Sequence, residues 1–152
     1  MDSSKVKKVF PAYFSNFLLP EAAIEQTISV YRACPTRKIE KASFLNTYEE
    51  NGYQVPVGMQ ADDPQVYCLS TAFRLKDVKR FVTINSAYNP PFLLAKGHTT
   101  KTDGLSCKTS DWKKTKSSHV DWWLYAEATP WIAFEETTYE HENEQRNIPE
   151  TK

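Results

Sequence analysis

The spacing of short apolar segments is the sequence feature that most constrains the fold of this chain. Several segments place β-branched and aromatic residues at alternate positions, which is typical of strands in a half-buried sheet. These predicted strands span residues 27–33, 66–71, 91–98 and 118–125. Between them, residues 75–86 repeat apolar side chains at helical spacing. Because the strands are unequally spaced and no regular β-α-β repeat is present, the sequence predicts an α+β domain with two or three helices.

Weaker signals predict further short elements. Proline is favourable in the first turn of a helix, so Pro20 and Pro130 predict helices over residues 20–26 and 129–136. Residues 104–109 are predicted to form a short strand. These elements place helices among the strands, as expected for a compact α+β fold.

The length and the uneven composition of the chain predict its domain organisation. A chain of 152 residues suits a single domain. Residues 140–152 contain four glutamates and very few apolar residues. A segment with so little apolar surface cannot offset the entropy cost of ordering itself. We therefore predict one α+β domain over residues 1–139, followed by an acidic, flexible C-terminal tail over residues 140–152.

Charge, hydropathy and cysteine content exclude several classes of protein. Basic and acidic residues number 19 each, so net charge provides no general attraction to nucleic acid or anionic lipid. No apolar run approaches the roughly 18 residues of a membrane span, and no signal-peptide pattern follows the charged N-terminus. The unclustered Cys34, Cys68 and Cys107 form an odd set, which favours a reducing compartment. We expect a cytoplasmic protein without membrane contacts.

The familiar catalytic and metal-binding motifs are missing from the sequence. The four glycines never adopt phosphate-loop spacing, and neither G-x-S-x-G nor His-Glu-x-x-His occurs. No two cysteines or histidines have the spacing of metal ligands, so we predict no metal site. Cys68 would need His98 or His119 as a base to act as a nucleophile. Its position in a predicted apolar strand favours a small buried thiol instead.

A distributed set of polar residues is the better candidate for a site. Arg32, the pair Ser70 and Thr71, and Glu127 each lie at the end of a predicted strand. Arginine offers a forked donor for phosphate, and hydroxyl groups offer short donors and acceptors. A carboxylate binds ribose hydroxyl groups and stabilises an oxocarbenium ion. The alternative is that Arg32 pairs with an acid, Ser70 and Thr71 cap the next helix, and Glu127 is solvated.

This order of motifs resembles that of the ADP-ribosyltransferase superfamily. The resemblance covers residues 20–136 and depends on three features: Tyr31-Arg32-Ala33, the segment Tyr67–Ala72, and the helix and strand that follow over residues 76–97. It implies a fold of small split antiparallel or mixed sheets that binds NAD in the cleft between them. The chain is also similar to small bacterial proteins, a likeness that implies no function.

The resemblance also implies a role for each candidate residue. Arg32 would hold a phosphate or ribose of NAD, Ser70 and Thr71 would shape the nicotinamide pocket, and Glu127 would stabilise the ribosyl cation. The third residue of the hydroxyl motif is Ala72 rather than serine, and no Glu-x-Glu turn is present within residues 20–136. Glu135 and Glu136 therefore compete with Glu127 for the acid role. The implied activity is either transfer of ADP-ribose to an acceptor or cleavage of the nicotinamide bond. A macromolecule is one possible acceptor.

A second hypothesis belongs to a different class, a binding module without catalytic activity. The segment 108–123 interleaves lysines with tryptophans and would recognise a protein or a nucleic acid. Its alternative is a solvated loop whose Trp112 packs on the domain. The enzyme and the binding module are separated by one observation, whether Arg32, Ser70 and a glutamate line the same cleft.

Overall fold

A computed structural model describes residues 8–85 and 93–147 of the chain. Within these residues the chain forms six strands and three α-helices, with short 3-10 helices between them. The strands are β1 (Ser29–Cys34), β2 (Leu69–Ala72), β3 (Leu93–His98), β4 (Gly104–Lys108), β5 (His119–Leu124) and β6 (Phe134–Thr137). The helices are α1 (Thr47–Glu50), α2 (Leu75–Asn85) and α3 (Tyr139–Asn147). The predicted α+β class is confirmed.

The six strands form one antiparallel sheet in the order β4-β5-β2-β1-β3-β6. Strand β1 pairs with β3 along its whole length, from Ser29 opposite His98 to Cys34 opposite Leu93. It pairs with β2 only at Tyr31 and Ala72. The sheet therefore consists of two three-stranded halves that are joined at one point and diverge beyond it.

Apolar clusters cover both faces of this sheet. On one face, Trp122 and Val30 pack with Phe44 and Phe134. On the other face, an aromatic cluster surrounds Trp123 on the β4-β5-β2 half. A smaller cluster on that same face joins β1, β2 and β3 to helix α2. Alternation along β5 sends Trp122 and Trp123 to opposite faces, and both side chains are 0% exposed because each face is covered.

Three of the predicted elements differ in the structure. Residues 20–26 form no helix, because Ile24 bridges to Ser106 on the outer side of β4 and tertiary pairing outweighs local helix propensity. The second predicted strand begins at Leu69 rather than residue 66. The preceding residues, Pro64–Tyr67, form a 3-10 helix whose first turn is capped by the carboxylate of Asp63.

The predicted helix over residues 129–136 is the third difference. A 3-10 helix occupies only Pro130–Ala133, and the chain then becomes strand β6 and pairs with β3. Gly97 of β3 permits this close approach, since a Cβ atom there would collide with the carbonyl of Ala133 and the ring of Phe134. The predicted strand over residues 91–98 is observed from Leu93; residues 91 and 92 lie outside the described part.

The segment predicted as an acidic tail contains helix α3 as far as Asn147, and residues 148–152 lie outside the described part. Glu142 is only 2% exposed. Its carboxylate accepts hydrogen bonds from Tyr31 (2.8 Å) and Thr137 (2.7 Å), and Lys96 Nζ lies 3.2 Å away. This carboxylate therefore ties α3 to β1, β3 and β6. Among the helices of the described part, none is long and apolar enough to cross a membrane.

Candidate functional site

A cleft of about 580 Å³ opens where β1 and β2 diverge. Helix α2 forms one side of the cleft, and the segment that contains α1 forms another. The polar or aromatic residues that matter for its chemistry are Tyr31, Arg32, Glu50, Ser70, Thr71 and His119. The remaining wall includes the apolar Ala33, Pro35 and Val78 together with further polar residues such as Asp77. A pocket with apolar walls and a few convergent polar groups is the usual form of a small-molecule site.

Arg32 is a buried arginine at the junction of the two half-sheets. Its side chain is 5% exposed. Nε donates to the carbonyl of Ser43 and one terminal nitrogen donates to the carbonyl of Ser70, each at 2.8 Å. The other terminal nitrogen donates to the carbonyl of Leu45 at 3.4 Å. These bonds tie β1 to three neighbouring carbonyls, and the guanidinium lines the cleft at the point where the two half-sheets meet.

Glu50 is the carboxylate that faces Arg32 in the cleft. Its Oε1 lies 3.6 Å from a terminal nitrogen of Arg32, and its side chain is 39% exposed. Partial burial raises the pKa of Glu50 above the ordinary value, and the nearby guanidinium opposes that rise. Glu50 is therefore a cleft carboxylate that takes up a proton at a higher pH than an ordinary glutamate does.

Ser70 and Thr71 follow one another on β2 and contribute differently to the cleft. The side chain of Ser70 is exposed in the cleft. Thr71 is buried, and its hydroxyl donates to the carbonyl of Val120 at 3.1 Å. Ser70 is therefore the hydroxyl that is accessible to a ligand, while Thr71 ties β2 to β5.

A buried polar network on β5 lies at the end of the cleft. Asp121 is 0% exposed, and its carboxylate accepts hydrogen bonds from Thr109 (3.0 Å), Trp112 (2.9 Å) and Gln65 (3.2 Å). His119 Nδ1 lies 2.9 Å from the same carboxylate. Burial alone would raise the pKa of Asp121, but the interactions with His119, Trp112 and Gln65 outweigh it and lower that pKa. The network therefore holds an anion beneath a histidine that faces the cleft.

The three cysteines are buried free thiols. Burial raises the pKa of Cys34 to about 11 and that of Cys107 to about 12. Cys68 lies 3.5 Å from Asp121, and burial and this carboxylate raise its pKa as well. All three are thus held as thiols, as expected for core residues rather than nucleophiles. Among the described residues, no group of three or more His, Cys, Asp or Glu is arranged to hold a metal ion.

The structure places the expected acids outside the cleft. Glu127 is exposed in the turn that follows β5. Glu135 and Glu136 are exposed on β6, at the edge of the sheet, and Glu135 lines a separate groove. Of the residues proposed from the sequence, Arg32, Ser70 and Thr71 are therefore brought together, whereas Glu127 is not. The glutamate that lines the cleft is instead Glu50, which lies between β1 and β2 and was not among the expected acids.

The basic segment 108–123 uses its tryptophans within the domain. Trp112 is half-buried and donates to Asp121, while Trp122 and Trp123 belong to the two faces of the core. The ammonium group of Lys113 lies 4.9 Å from the ring centroid of Trp112 and donates to Gln65 at 2.6 Å. This arrangement corresponds to a loop whose Trp112 packs on the domain.

Sequence reasoning missed Glu50, His119 and Asp121 as members of the site. Alternation places residues 119 and 121 on the same face of β5, so that pair was available from the pattern. Glu50 lies in the irregular stretch between β1 and β2, where no periodicity predicts a position. In comparisons with known proteins, the chain matches no family model, no curated protein and no solved structure.

Proposed function

We propose that the protein binds NAD in this cleft and cleaves the bond between nicotinamide and ribose, as an ADP-ribosyltransferase or an NAD glycohydrolase. The observation that carries the proposal is that Arg32, Ser70 and Glu50 line one cleft. This is the arrangement that separates the enzyme hypothesis from the binding-module hypothesis. A volume of about 580 Å³ also lies within the range of pockets that enclose small molecules and cofactors.

The charged groups of the cleft match the two ends of NAD. Arg32 lines the cleft, and its guanidinium would attract a phosphate or ribose oxygen. Glu50 provides negative charge for the cationic nicotinamide ring and for the ribosyl cation that follows. The Ser70 hydroxyl serves as a donor or acceptor for the nicotinamide amide, and Thr71 shapes the pocket floor.

The chemical step requires stabilisation of positive charge on the ribose. The C1′–N bond breaks, its electron pair leaves with nicotinamide, and the sugar becomes an oxocarbenium-like cation. A carboxylate next to the cation lowers the barrier only when it is ionised. Because the pKa of Glu50 is raised, we expect turnover to fall as the pH drops into the range where this carboxyl group becomes protonated.

The competing hypothesis is a binding module that acts through residues 108–123. Base stacking requires an exposed aromatic face, whereas Trp122 and Trp123 are buried and Lys113 covers one ring face of Trp112. Lys114 and Lys116 are exposed and offer electrostatic contacts only. The structure provides no specific observation that favours this second function over the first.

The proposal is tested by thermal unfolding and nicotinamide release with NAD as the probe. NAD binding to the folded state raises Tm as its concentration increases. For Glu50→Gln we expect a retained Tm shift and a loss of turnover of about 100-fold or more, since the charge that stabilises the cation is removed. Glu127→Gln is the matched control, because Glu127 is an exposed glutamate outside the cleft.

Two outcomes would contradict different parts of the proposal. The absence of both a Tm shift and nicotinamide release at millimolar NAD would reject NAD as the ligand. Normal turnover by Glu50→Gln, together with loss of turnover in Glu127→Gln, Glu135→Gln or Glu136→Gln, would reject Glu50 as the acid and identify another.

A further inference from the structure

We propose that His119, oriented by Asp121, is the general base of the cleft, and that it deprotonates a hydroxyl acceptor, either water or an alcohol. The inference rests on the proposed NAD function and adds the class of acceptor to it. It is carried by the geometry of β5, where His119 and Asp121 lie two residues apart on one face.

The first step of the argument concerns which ring nitrogen of His119 carries the proton. Nδ1 lies 2.9 Å from Oδ1 of Asp121 and 2.8 Å from the hydroxyl of Thr109. That hydroxyl donates its own proton to Oδ2 of Asp121, so it offers only a lone pair to Nδ1. Both neighbours of Nδ1 are therefore acceptors, and Nδ1 must be the N–H of the neutral ring. Nε2 then carries the lone pair.

The second step concerns the position of that lone pair. His119 lines the cleft, and its side chain is 29% exposed although Asp121 beneath it is fully buried. Within residues 8–85 and 93–147, Nε2 of His119 makes no hydrogen bond. Because the Nδ1 edge is directed at the buried carboxylate, the exposed edge is the Nε2 edge. A basic nitrogen is thus presented to the ligand space.

The third step concerns the neighbours of this base. Ser70 lies opposite Asp121 in the ladder between β2 and β5, and its exposed side chain shares the cleft with His119. Asp77 of α2 also lines the cleft, and its carboxylate is engaged by the backbone and hydroxyl of Ser118. The base therefore lines the same cleft as the residues assigned to NAD, and Oδ2 of Asp77 is already engaged by Ser118.

These positions define a balanced reaction. Loss of nicotinamide leaves the ribosyl cation, and the oxygen of the acceptor forms the new C1′–O bond. The proton of that hydroxyl moves to Nε2 of His119, and the resulting imidazolium is stabilised by the Asp121 anion. With water the product is ADP-ribose, and with an alcohol it is an O-linked ADP-ribosyl derivative. The proposal concerns oxygen acceptors and assigns no role to nitrogen or thiol acceptors.

The experiment compares His119→Gln with the matched control His98→Gln, because His98 lies on β3 outside the cleft. NAD is the probe; Tm shift reports binding, and nicotinamide release reports turnover. We expect His119→Gln to retain the Tm shift and to lose turnover by about 100-fold or more, as removal of a general base does. His98→Gln should match the wild type.

Further variants and probes separate a base from a merely structural residue. Added imidazole should restore part of the turnover of His119→Ala, since a small base can enter the vacated space. Asp121→Asn should lower kcat more than it changes KM, because the amide no longer fixes the Nδ1–H form of the ring. Addition of methanol to the wild-type protein should divert product from ADP-ribose to its methyl glycoside.

The outcomes distinguish this inference from the function on which it rests. Normal nicotinamide release by His119→Gln, in a protein whose wild type consumes NAD, would overturn the role of His119 and leave the NAD function standing. Absence of NAD binding by the wild type would overturn both. Loss of turnover without imidazole rescue, accompanied by a lower Tm in the absence of NAD, would assign His119 a structural role and reject it as the base.

Discussion

Strand β1 meets its two neighbours in different ways. Toward β3 it forms six consecutive register pairs, and the side chains on both faces of this half pack into the core. Toward β2 it forms the single pair Tyr31 and Ala72, and the strands then diverge. On the side of β3, called the continuous side, the ladder pairs the backbone groups of β1. On the side of β2, called the divergent side, carbonyl groups need other hydrogen-bond donors.

Arg32 supplies one such donor on the divergent side. It lies opposite Ala95 in the ladder with β3, and its guanidinium bridges to the carbonyl of Ser70 on β2. The Ser70 carbonyl is therefore paired by a side chain where β1 and β2 have separated. The comparison indicates that a buried side chain can replace part of the ladder where two adjacent strands open a cleft.

Removal of Arg32 should produce the largest effect, because it breaks the divergent side alone. Arg32→Met keeps the apolar stem and leaves the carbonyls of Ser43 and Ser70 unpaired and Glu50 without its cation. Loss of one partner from such a buried charged network costs about 3–5 kcal/mol. Urea unfolding measures the difference in the free energy of unfolding. Arg37→Met, an exposed arginine beyond the end of β1, is the control and should lie within about 0.5 kcal/mol of the wild type.

An equal loss in Arg32→Met and Arg37→Met would show that the bonds of Arg32 are not what joins the half-sheets. Arg32→Lys sharpens the test. Lysine keeps the charge but lacks the planar fork that reaches separate carbonyls, so it should recover only part of the lost stability.

Acid pH should weaken both halves of the sheet through carboxylates that are held ionised. The pKa values of Asp121 and Glu142 are lowered: burial opposes ionisation, and hydrogen bonds to the carboxylates outweigh it. A lowered folded-state pKa stabilises the protein above the unfolded-state pKa, and this stabilisation is lost as pH falls through the folded-state value. We therefore expect Tm to decrease below about pH 4. Asp121→Asn should flatten that decrease; an unchanged slope would contradict the role of this carboxylate.

The accuracy of the sequence predictions follows the same division of the molecule. Strands and helices that bury a periodic face were predicted closely. The strand predicted over residues 118–125 is observed as His119–Leu124, and the helix predicted over residues 75–86 is observed as Leu75–Asn85. The helix expected over residues 20–26 was wrong, because its apolar residues are used by the cluster around Trp123 and Ile24 bridges to β4. Local propensity cannot reveal such a distant partner.

The site was predictable only where it lies on strands. Arg32 and Ser70 lie on adjacent strands, so a cleft between those strands includes both. Glu127 also follows a strand, but its place in the sequence does not reveal whether the end of that strand lies near the cleft. Glu50 ends a four-residue helix whose position is set by aromatic contacts of Tyr48 with Tyr67. No local pattern encodes that contact.

Glu142→Gln tests the continuous half of the sheet with a smaller expected effect. Glutamine keeps the size of the side chain but loses the charge that Lys96 and the hydroxyl groups of Tyr31 and Thr137 engage. We expect a loss of about 1–3 kcal/mol in the free energy of unfolding, the usual cost for hydrogen bonds to a buried charged group. Glu140→Gln, an exposed glutamate on the same helix, should be neutral. A neutral Glu142→Gln would mean that α3 does not contribute to the stability of this half.

Trp112→Phe should have the smallest effect and probes the β4-β5-β2 half on its own. Phenylalanine keeps an aromatic ring near Trp123 but removes the indole N–H that donates to Asp121 at 2.9 Å. The carboxylate retains the donors of Thr109, Gln65 and His119, so we expect a loss of about 1 kcal/mol by urea unfolding. A loss as large as that of Arg32→Met would show that the remaining donors do not compensate. The Asp121 network would then be as essential to its half-sheet as Arg32 is to the junction.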